Sequence, residues 1–174
     1  VRDYCNDPRR QVMKLIIENF RRFLLRENQA KFAGILKIMP SPDIIAQAQP
    51  LVASLPEEAI PLGDDKLHVT LIHQKYLKPY KNILKQMAKE GKPLPQAPQV
   101  ILKQEKPTER PGGGKTNAEG RRSWVAWVDN QEELKKYVKD FMAMLGAPKE
   151  DPEPKRVFHI SLANLTGNPG DSVK

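Results

Sequence analysis

Two short segments of this sequence carry the same pattern: a histidine, an apolar residue and then a hydroxyl residue, with apolar residues at the alternating positions. The first segment contains His68 and Thr70, and the second contains His159 and Ser161. Such alternation is typical of a strand with one buried face, in which residues two apart lie on the same face. The pattern therefore predicts two amphipathic strands, each of which presents one imidazole and one hydroxyl on its polar face.

If the two strands lie near each other, these four side chains meet on one surface of a sheet. A neutral histidine accepts a proton and a charged histidine donates one, so a pair can serve as general base and general acid. Hydroxyls can donate hydrogen bonds to phosphate oxygens. The set predicts phosphodiester cleavage, with His68, Thr70, His159 and Ser161 as catalytic residues. The third histidine, His73, falls on the opposite face of its strand and the chain has one cysteine, so we expect no metal site.

The overall charge of the chain indicates an anionic partner. Its 174 residues include 29 Lys and Arg against 21 Asp and Glu, a formal net charge of +8. Such an excess favours nucleic acids, nucleotides or acidic surfaces as partners. No run approaches the ~18 apolar residues of a membrane span, and no secretory signal precedes the first charged segment, so we expect no membrane association and a cytoplasmic location. Nothing in the sequence indicates a cofactor or an obligate protein partner.

Periodicity and the positions of proline and glycine divide the chain into two halves within a single α+β domain. We expect an N-terminal helical extension over residues 1–29, a first lobe at 30–92 and a second lobe at 99–165. The Pro- and Gly-rich segment 106–120 predicts a flexible loop. The predicted helices span residues 8–28, 43–54, 75–92 and 131–145, and the predicted strands span residues 32–38, 67–73, 99–103, 123–128 and 157–163.

The paired motifs, placed in two similar halves, resemble those of the two-histidine (2H) phosphoesterase superfamily. That superfamily includes bacterial RNA ligase and cyclic phosphodiesterase homologues, nucleotide cyclic phosphodiesterases, and phage anti-CBASS nucleases that destroy cyclic dinucleotide signals. The resemblance implies a two-lobed, pseudo-symmetric α+β fold with a concave antiparallel sheet surface flanked by helices. It also implies that His68 and His159 are the catalytic pair, and that Thr70 and Ser161 bind the phosphate.

The stretch from Phe32 to Thr70 is most similar to the anti-CBASS branch. This similarity implies that Phe32 stacks on a base and that the substrate is a cyclic oligonucleotide such as 3′,3′-cyclic GMP–AMP. The second motif departs from the branch, because it ends in Ser161 and not in threonine. If the protein is encoded by a phage, it would act in the host cytoplasm.

Other side chains near the motifs predict contacts with the substrate. Tyr76 and one of two tryptophans, Trp124 or Trp127, could stack on bases, since residues three apart on a strand face opposite ways. Lys75 begins a series of lysines spaced three or four apart, which predicts a basic helix face that guides an anionic substrate. The members of that series are Lys75, Lys78, Lys81, Lys85, Lys89 and Lys92.

The sequence leaves three interpretations open. The first is a metal-independent phosphodiesterase of cyclic oligonucleotides, in which one histidine deprotonates a ribose 2′-hydroxyl or a water and the other protonates the leaving 5′-oxygen. The second is a 2′,3′-cyclic phosphate phosphodiesterase that acts on RNA ends or nucleotides. The third is a basic RNA-binding module without catalysis, which would bind long RNA in a salt-dependent way. The sequence does not decide which histidine is the base.

Overall fold

The computed structural model describes residues 30–112 and 120–173 of the chain. The predicted helix at 8–28 and residues 113–119 of the predicted loop lie outside these ranges. Within them, helices and an antiparallel sheet form an α+β fold, as the sequence predicts. None of the helices in the described ranges is both long and apolar enough to cross a membrane.

A seven-stranded sheet organises the described residues, and its strand pairings are antiparallel. Its strands are β1 (Ala30–Phe32), β2 (Leu36–Ile38), β3 (Ile60–Pro61), β4 (Val69–Ile72), β5 (Thr108–Pro111), β6 (Arg122–Trp127) and β7 (His159–Asn164). The order across the sheet is β1-β2-β4-β7-β6-β5, and β3 also pairs with β7. Strands from both halves of the chain therefore meet at the β4–β7 pair. The two-lobed pseudo-symmetry stays a prediction.

Local capping and the helical spacing of apolar residues account for the positions of the helices. In the described residues they are α1 (Pro42–Val52), α2 (Gln74–Leu77), α3 (Lys81–Lys89) and α4 (Gln131–Met144). The Ser41 hydroxyl caps α1, because it accepts a hydrogen bond from the Ile44 N–H at 3.2 Å. In α4, Leu134, Val138 and Phe141 recur at helical spacing and are buried.

The core includes a row of apolar residues that crosses the four central strands. Ile38 pairs with Val69, Val69 with Ile160, and Ile160 with Ala126. Each of these four is at most 2% exposed and belongs to one cluster with the buried faces of the helices. The predicted alternation in both motif strands is confirmed, because the apolar positions between the histidine and hydroxyl residues are buried.

The first predicted strand, at 32–38, is instead a hairpin made of β1 and β2. Lys31 pairs with Lys37, and Phe32 pairs with Leu36. The chain reverses over residues 33–35, where Gly34 adopts a φ of 83°. This left-handed conformation favours glycine, which has no Cβ to clash with the backbone.

The predicted strand at 99–103 contributes only an isolated bridge between Leu102 and Val128. The Lys103 N–H donates to the Trp127 carbonyl of β6 at 2.8 Å, but two other backbone donors of the segment have side-chain partners. The Ile101 N–H donates to Asn130 Oδ1 at 3.1 Å, and the Leu102 N–H donates to Gln47 Oε1 at 2.7 Å. Because these amide side chains satisfy the backbone groups, a longer strand is not needed to do so.

The predicted helix at 75–92 is divided into α2 and α3. A 3-10 turn, Lys78–Tyr80, separates them at Pro79. Proline lacks a backbone N–H and fixes φ, so it interrupts the hydrogen-bond ladder of an α-helix. The six lysines of this segment are exposed, but they do not line one continuous helix.

Part of the predicted loop at 106–120 is a strand. Residues Thr108–Pro111 form β5, which pairs with β6 at the edge of the sheet. Proline cannot donate to a ladder, but an edge strand has one side without a partner strand and tolerates it. The proline content of this segment therefore indicated a loop where the structure has an edge strand.

Removal of the side chain at the centre of the sheet should destabilise the protein strongly. We expect Ile160→Ala to lower the free energy of unfolding by about 2–5 kcal/mol, because it leaves a cavity among fully buried neighbours. The matched control is Val157→Ala, which should change this free energy by less than about 0.5 kcal/mol because Val157 is 49% exposed. Urea unfolding measures both variants. Equal losses for the two variants would contradict this packing.

Candidate active site

The register of β4 and β7 brings the two motifs together. Val69 and Ile160, the central apolar residues of the two motifs, pair with each other in antiparallel strands. When this register is continued by one residue to either side, it sets His68, which immediately precedes β4, opposite Ser161, and Thr70 opposite His159. Residues opposite each other in such a pair share a face of the sheet, with Cβ atoms about 4.5–5.5 Å apart. All four side chains are half-buried, so they line a partly desolvated surface.

Both histidines make the same backbone contact through Nδ1. His68 Nδ1 lies 2.8 Å from the carbonyl oxygen of Lys66, and His159 Nδ1 lies 3.2 Å from that of Val157. A carbonyl only accepts, so Nδ1 must be the protonated nitrogen and the donor in each case. This contact orients each ring and leaves proton transfer to the Nε2 atom.

Two further strands contribute side chains around His159. Trp127 of β6 pairs directly with His159, and the two rings meet edge to face with their centroids 5.6 Å apart. Trp127 Nε1 donates to Thr108 Oγ1 of β5 at 2.8 Å. Also from β5, Arg110 Nη1 lies 3.0 Å from His159 Nε2. A guanidinium only donates, so the Nε2 atom accepts this hydrogen bond and the imidazole is neutral.

The surroundings of His159 disfavour its charged form. Burial lowers the pKa of His159 to about 4, since desolvation penalises an imidazolium. The Val157 carbonyl opposes this change, whereas the positive charges of Arg110 and Arg156, together with His73, lower the pKa further. His159 is therefore neutral near pH 7.

His68 lies in a less cationic environment. Burial lowers the pKa of His68, the carbonyl of Lys66 raises it, and the charge of Lys37 lowers it. Lys37 belongs to β2 and pairs with Thr70, so it lies on the same face of the sheet as the motif side chains. One row of side chains on this face thus crosses four strands, and we call it the polar row. It consists of Lys37 of β2, Thr70 of β4, His159 of β7 and Trp127 of β6.

The third histidine takes part in an ion-pair network beside this row. His73 follows the last residue of β4, and its Nδ1 lies 2.7 Å from Glu153 Oε2. Arg156 Nη1 lies 3.3 Å from the same oxygen and donates to the Leu71 carbonyl at 3.2 Å. The network ties the segment before β7 to the end of β4. Across residues 30–112 and 120–173, no three His, Cys, Asp or Glu side chains are placed to hold a metal ion together.

The structure decides between the two tryptophans. Trp124, which we expected as a possible base-stacking residue, is only 3% exposed and packs with Ala59 and Ala163. Arg122 covers its ring, with the guanidinium carbon 5.0 Å from the ring centroid. Trp124 is therefore the tryptophan that fills the core, because a buried ring offers no face to a base. Trp127 is half-buried and contacts His159, so it is the tryptophan that lies in the candidate site.

Phe32 lies in a cleft at the edge of the sheet that contains β1. The cleft has a volume of about 450 Å³, and Phe32, Lys31 and Lys37 line it together with Leu84 and Met87 of α3. Lys37 belongs both to this cleft and to the polar row of the sheet, so the cleft adjoins the candidate site. Stacking of Phe32 on a base stays a prediction.

Lys75 and Tyr76 lie in α2, immediately after His73. Tyr76 is half-buried against the core, and Lys75 Nζ lies 4.6 Å from the centroid of its ring. Lys75 is close enough to His73 for its charge to lower the pKa of that histidine. Within the described residues, no hydrogen bond or ring contact joins either residue to His68 or His159, so the structure does not bring them into the candidate site.

Three cations of the site were not found by sequence analysis. Lys37 carried a weak signal, since it is the charged residue within an otherwise apolar strand segment. Arg110 and Arg156 carried none, because each lies in a Pro-rich segment whose composition indicates a loop or a turn. Their positions depend on the pairing of β5 with β6 and on the network around Glu153, and both are long-range contacts.

Comparison of the chain with protein-family models, with curated proteins and with solved structures gave no match.

Proposed function

We propose that this protein is a metal-independent phosphodiesterase of the two-histidine type that hydrolyses cyclic oligonucleotides such as 3′,3′-cyclic GMP–AMP. The observation that carries the proposal is the register of β4 and β7, because it sets two histidines and two hydroxyls on one face of the sheet. In both histidines a backbone carbonyl occupies Nδ1, so the two Nε2 atoms are the ones that exchange protons.

This arrangement suits cleavage of a phosphodiester by general acid–base catalysis. One neutral imidazole takes the proton of the attacking oxygen, which belongs to a ribose 2′-hydroxyl or a water. The other imidazole, in its charged form, protonates the 5′-oxygen as its bond to phosphorus breaks. Groups of this kind typically contribute about 10²–10⁴-fold each to the rate.

The negative charge of the reacting phosphoryl group would be held by side chains of the same face. The hydroxyls of Thr70 and Ser161 can donate to the non-bridging oxygens. Arg110 and Lys37 supply positive charge from the two sides of the β4–β7 pair. Because the surface is partly desolvated, these interactions are stronger than they would be in water.

The cleft beside the site supports a small nucleotide substrate. Its aromatic and aliphatic walls, Phe32, Leu84 and Met87, suit a nucleobase, and Lys31 and Lys37 at the same cleft suit the phosphates attached to it. On the other side of the motif strands, Trp127 offers a second aromatic ring. Phe32 pairs with the buried Leu36 and so lies on the core face at the edge of the sheet, whereas Trp127 lies on the catalytic face. So few aromatic side chains fit a cyclic dinucleotide better than a long strand, which normally needs a series of stacking platforms.

Substrate cleavage tests the proposal directly. The wild-type protein should linearise 3′,3′-cyclic GMP–AMP in the presence of EDTA, and His68→Ala and His159→Ala should each lower kcat by at least about 100-fold. Chromatography of the products measures the rates, and thermal unfolding checks that both variants fold. Loss of activity in EDTA with recovery on addition of a divalent metal would contradict the mechanism.

A substrate panel separates this function from the two alternatives. RNA that ends in a 2′,3′-cyclic phosphate and long RNA are tested beside the cyclic dinucleotide. Cleavage confined to the RNA end would show that RNA with a 2′,3′-cyclic phosphate, and not the cyclic dinucleotide, is the substrate. Both histidines would keep their proposed roles. Salt-dependent binding of long RNA without turnover of any substrate would show a binding module and refute catalysis.

The pH dependence of kcat/KM should be bell-shaped and shifted to acidic pH. Activity requires one neutral and one charged histidine, so it is lost below the lower pKa, where both are charged, and above the upper pKa, where both are neutral. Burial places the pKa of His159 at about 4 and lowers that of His68 below its usual 6.5. We therefore expect a maximum between about pH 4 and 6.5 and a tenfold fall per pH unit above it. A maximum above pH 7 would contradict these environments.

A further inference from the structure

The two histidines share a motif and a backbone contact, but their Nε2 atoms have different surroundings. The Nε2 atom of His159 accepts a hydrogen bond from Arg110 Nη1 at 3.0 Å. Within the described residues, no hydrogen bond engages the Nε2 atom of His68. The candidate site is therefore chemically asymmetric although its two motifs are alike.

The charged groups around each ring reinforce this asymmetry. His159 faces Arg110 from β5, Arg156 from the segment before β7, and His73 from the end of β4. The neighbour on β6 is Trp127, which carries no charge. His68 faces one charge, that of Lys37 on β2, besides the carbonyl of Lys66. Three neighbours therefore disfavour a proton on Nε2 of His159, whereas one does so for His68.

We propose that His159 is the general base, that His68 is the general acid, and that Arg110 is a positioning residue. Its guanidinium keeps the base neutral until a phosphate oxygen of the substrate accepts the hydrogen bond in place of His159. This inference rests on the proposed function, since it assigns roles within the same reaction. It also names a function for Arg110, which no motif in the sequence indicates.

In the reaction, His159 Nε2 takes the proton of the attacking hydroxyl or water as that oxygen forms its bond to phosphorus. The bond between phosphorus and the 5′-oxygen breaks, and His68 transfers its Nε2 proton to the departing oxygen. His159 ends charged and His68 ends neutral, so the proton count is unchanged. Exchange with solvent then restores the starting protonation states.

Arg110 must release His159 before the base can act, because a single lone pair on Nε2 cannot accept two protons. A phosphoryl oxygen carries negative charge and accepts a guanidinium hydrogen bond more strongly than a neutral imidazole does. Binding of the phosphate therefore draws Arg110 away from Nε2 and exposes the lone pair. The negative charge of the phosphate also favours the protonated form of His68, which the acid requires.

A change of leaving group tests the assignment of the two roles. A 4-nitrophenolate leaves without needing a proton, whereas a ribose 5′-oxygen needs one. His68→Ala should therefore lower kcat at least about 100-fold for the cyclic dinucleotide but less than about 10-fold for a ribonucleoside 3′-(4-nitrophenyl) phosphate. His159→Ala should lower kcat at least about 100-fold for both substrates.

Each other pattern of rates overturns the assignment. Rescue of His159→Ala by the activated substrate would reverse the two roles, and rescue of both variants or of neither would refute separate roles. Wild-type protein that cleaves neither substrate would overturn the proposed function itself, and the two failures are therefore distinguishable.

The role of Arg110 is tested in the free protein by NMR titration of the histidine Cε1 protons. Arg110→Gln removes the positive charge beside Nε2, so the pKa of His159 should rise and the acidic limb of kcat/KM should move to higher pH with it. The matched control is Arg121→Gln, whose guanidinium is bound to Gly170 and Asp171, and it should leave that pKa unchanged. An unaltered His159 pKa in Arg110→Gln would refute the inference, and so would an equal shift in both variants.

Discussion

The pairing of β4 with β7 is the interaction on which the rest of the structure depends. Val69 and Ile160 are fully buried partners in this pair, and they join strands that are far apart in the chain. Side chains alternate along a strand, so a register that buries these two residues also places their neighbours on the opposite face. A slip by one residue would turn the histidines into the core. Packing on one face thus determines the arrangement of the candidate site on the other.

In the proposed reaction, the environment of that face would give the two copies of one motif different chemical roles. Backbone carbonyls orient both imidazoles in the same way, so the motif alone does not distinguish them. The distinction comes from the flanking strands, since β5 brings Arg110 to His159 and β2 brings Lys37 nearer to His68. In the proposed reaction these cations would also bind the phosphoryl group, so the same side chains would both hold the anion and control the protonation states.

Local signals predicted much of this fold, and long-range pairing accounts for the rest. Alternation placed the motif residues on a polar face, because that period belongs to any strand with one buried side. It could not show that Trp127 lies opposite His159 while Trp124 lies opposite Ala163, since this depends on the register of β6 against β7. Arg110 was hidden for a similar reason, because a Pro-rich segment becomes a strand only when β6 supplies its hydrogen-bond partners.

We propose that both histidines act on one phosphoryl group bound at this face of the sheet. A crystal structure of the protein with orthovanadate, which mimics the phosphoryl group in its transition state, tests it most directly. We expect one vanadate with oxygens at about 2.7–3.2 Å from the Nε2 atoms of both His68 and His159, with Arg110 turned from His159 toward the anion. Vanadate bound at another surface, or contacts to one histidine with the other Nε2 out of reach, would contradict the account.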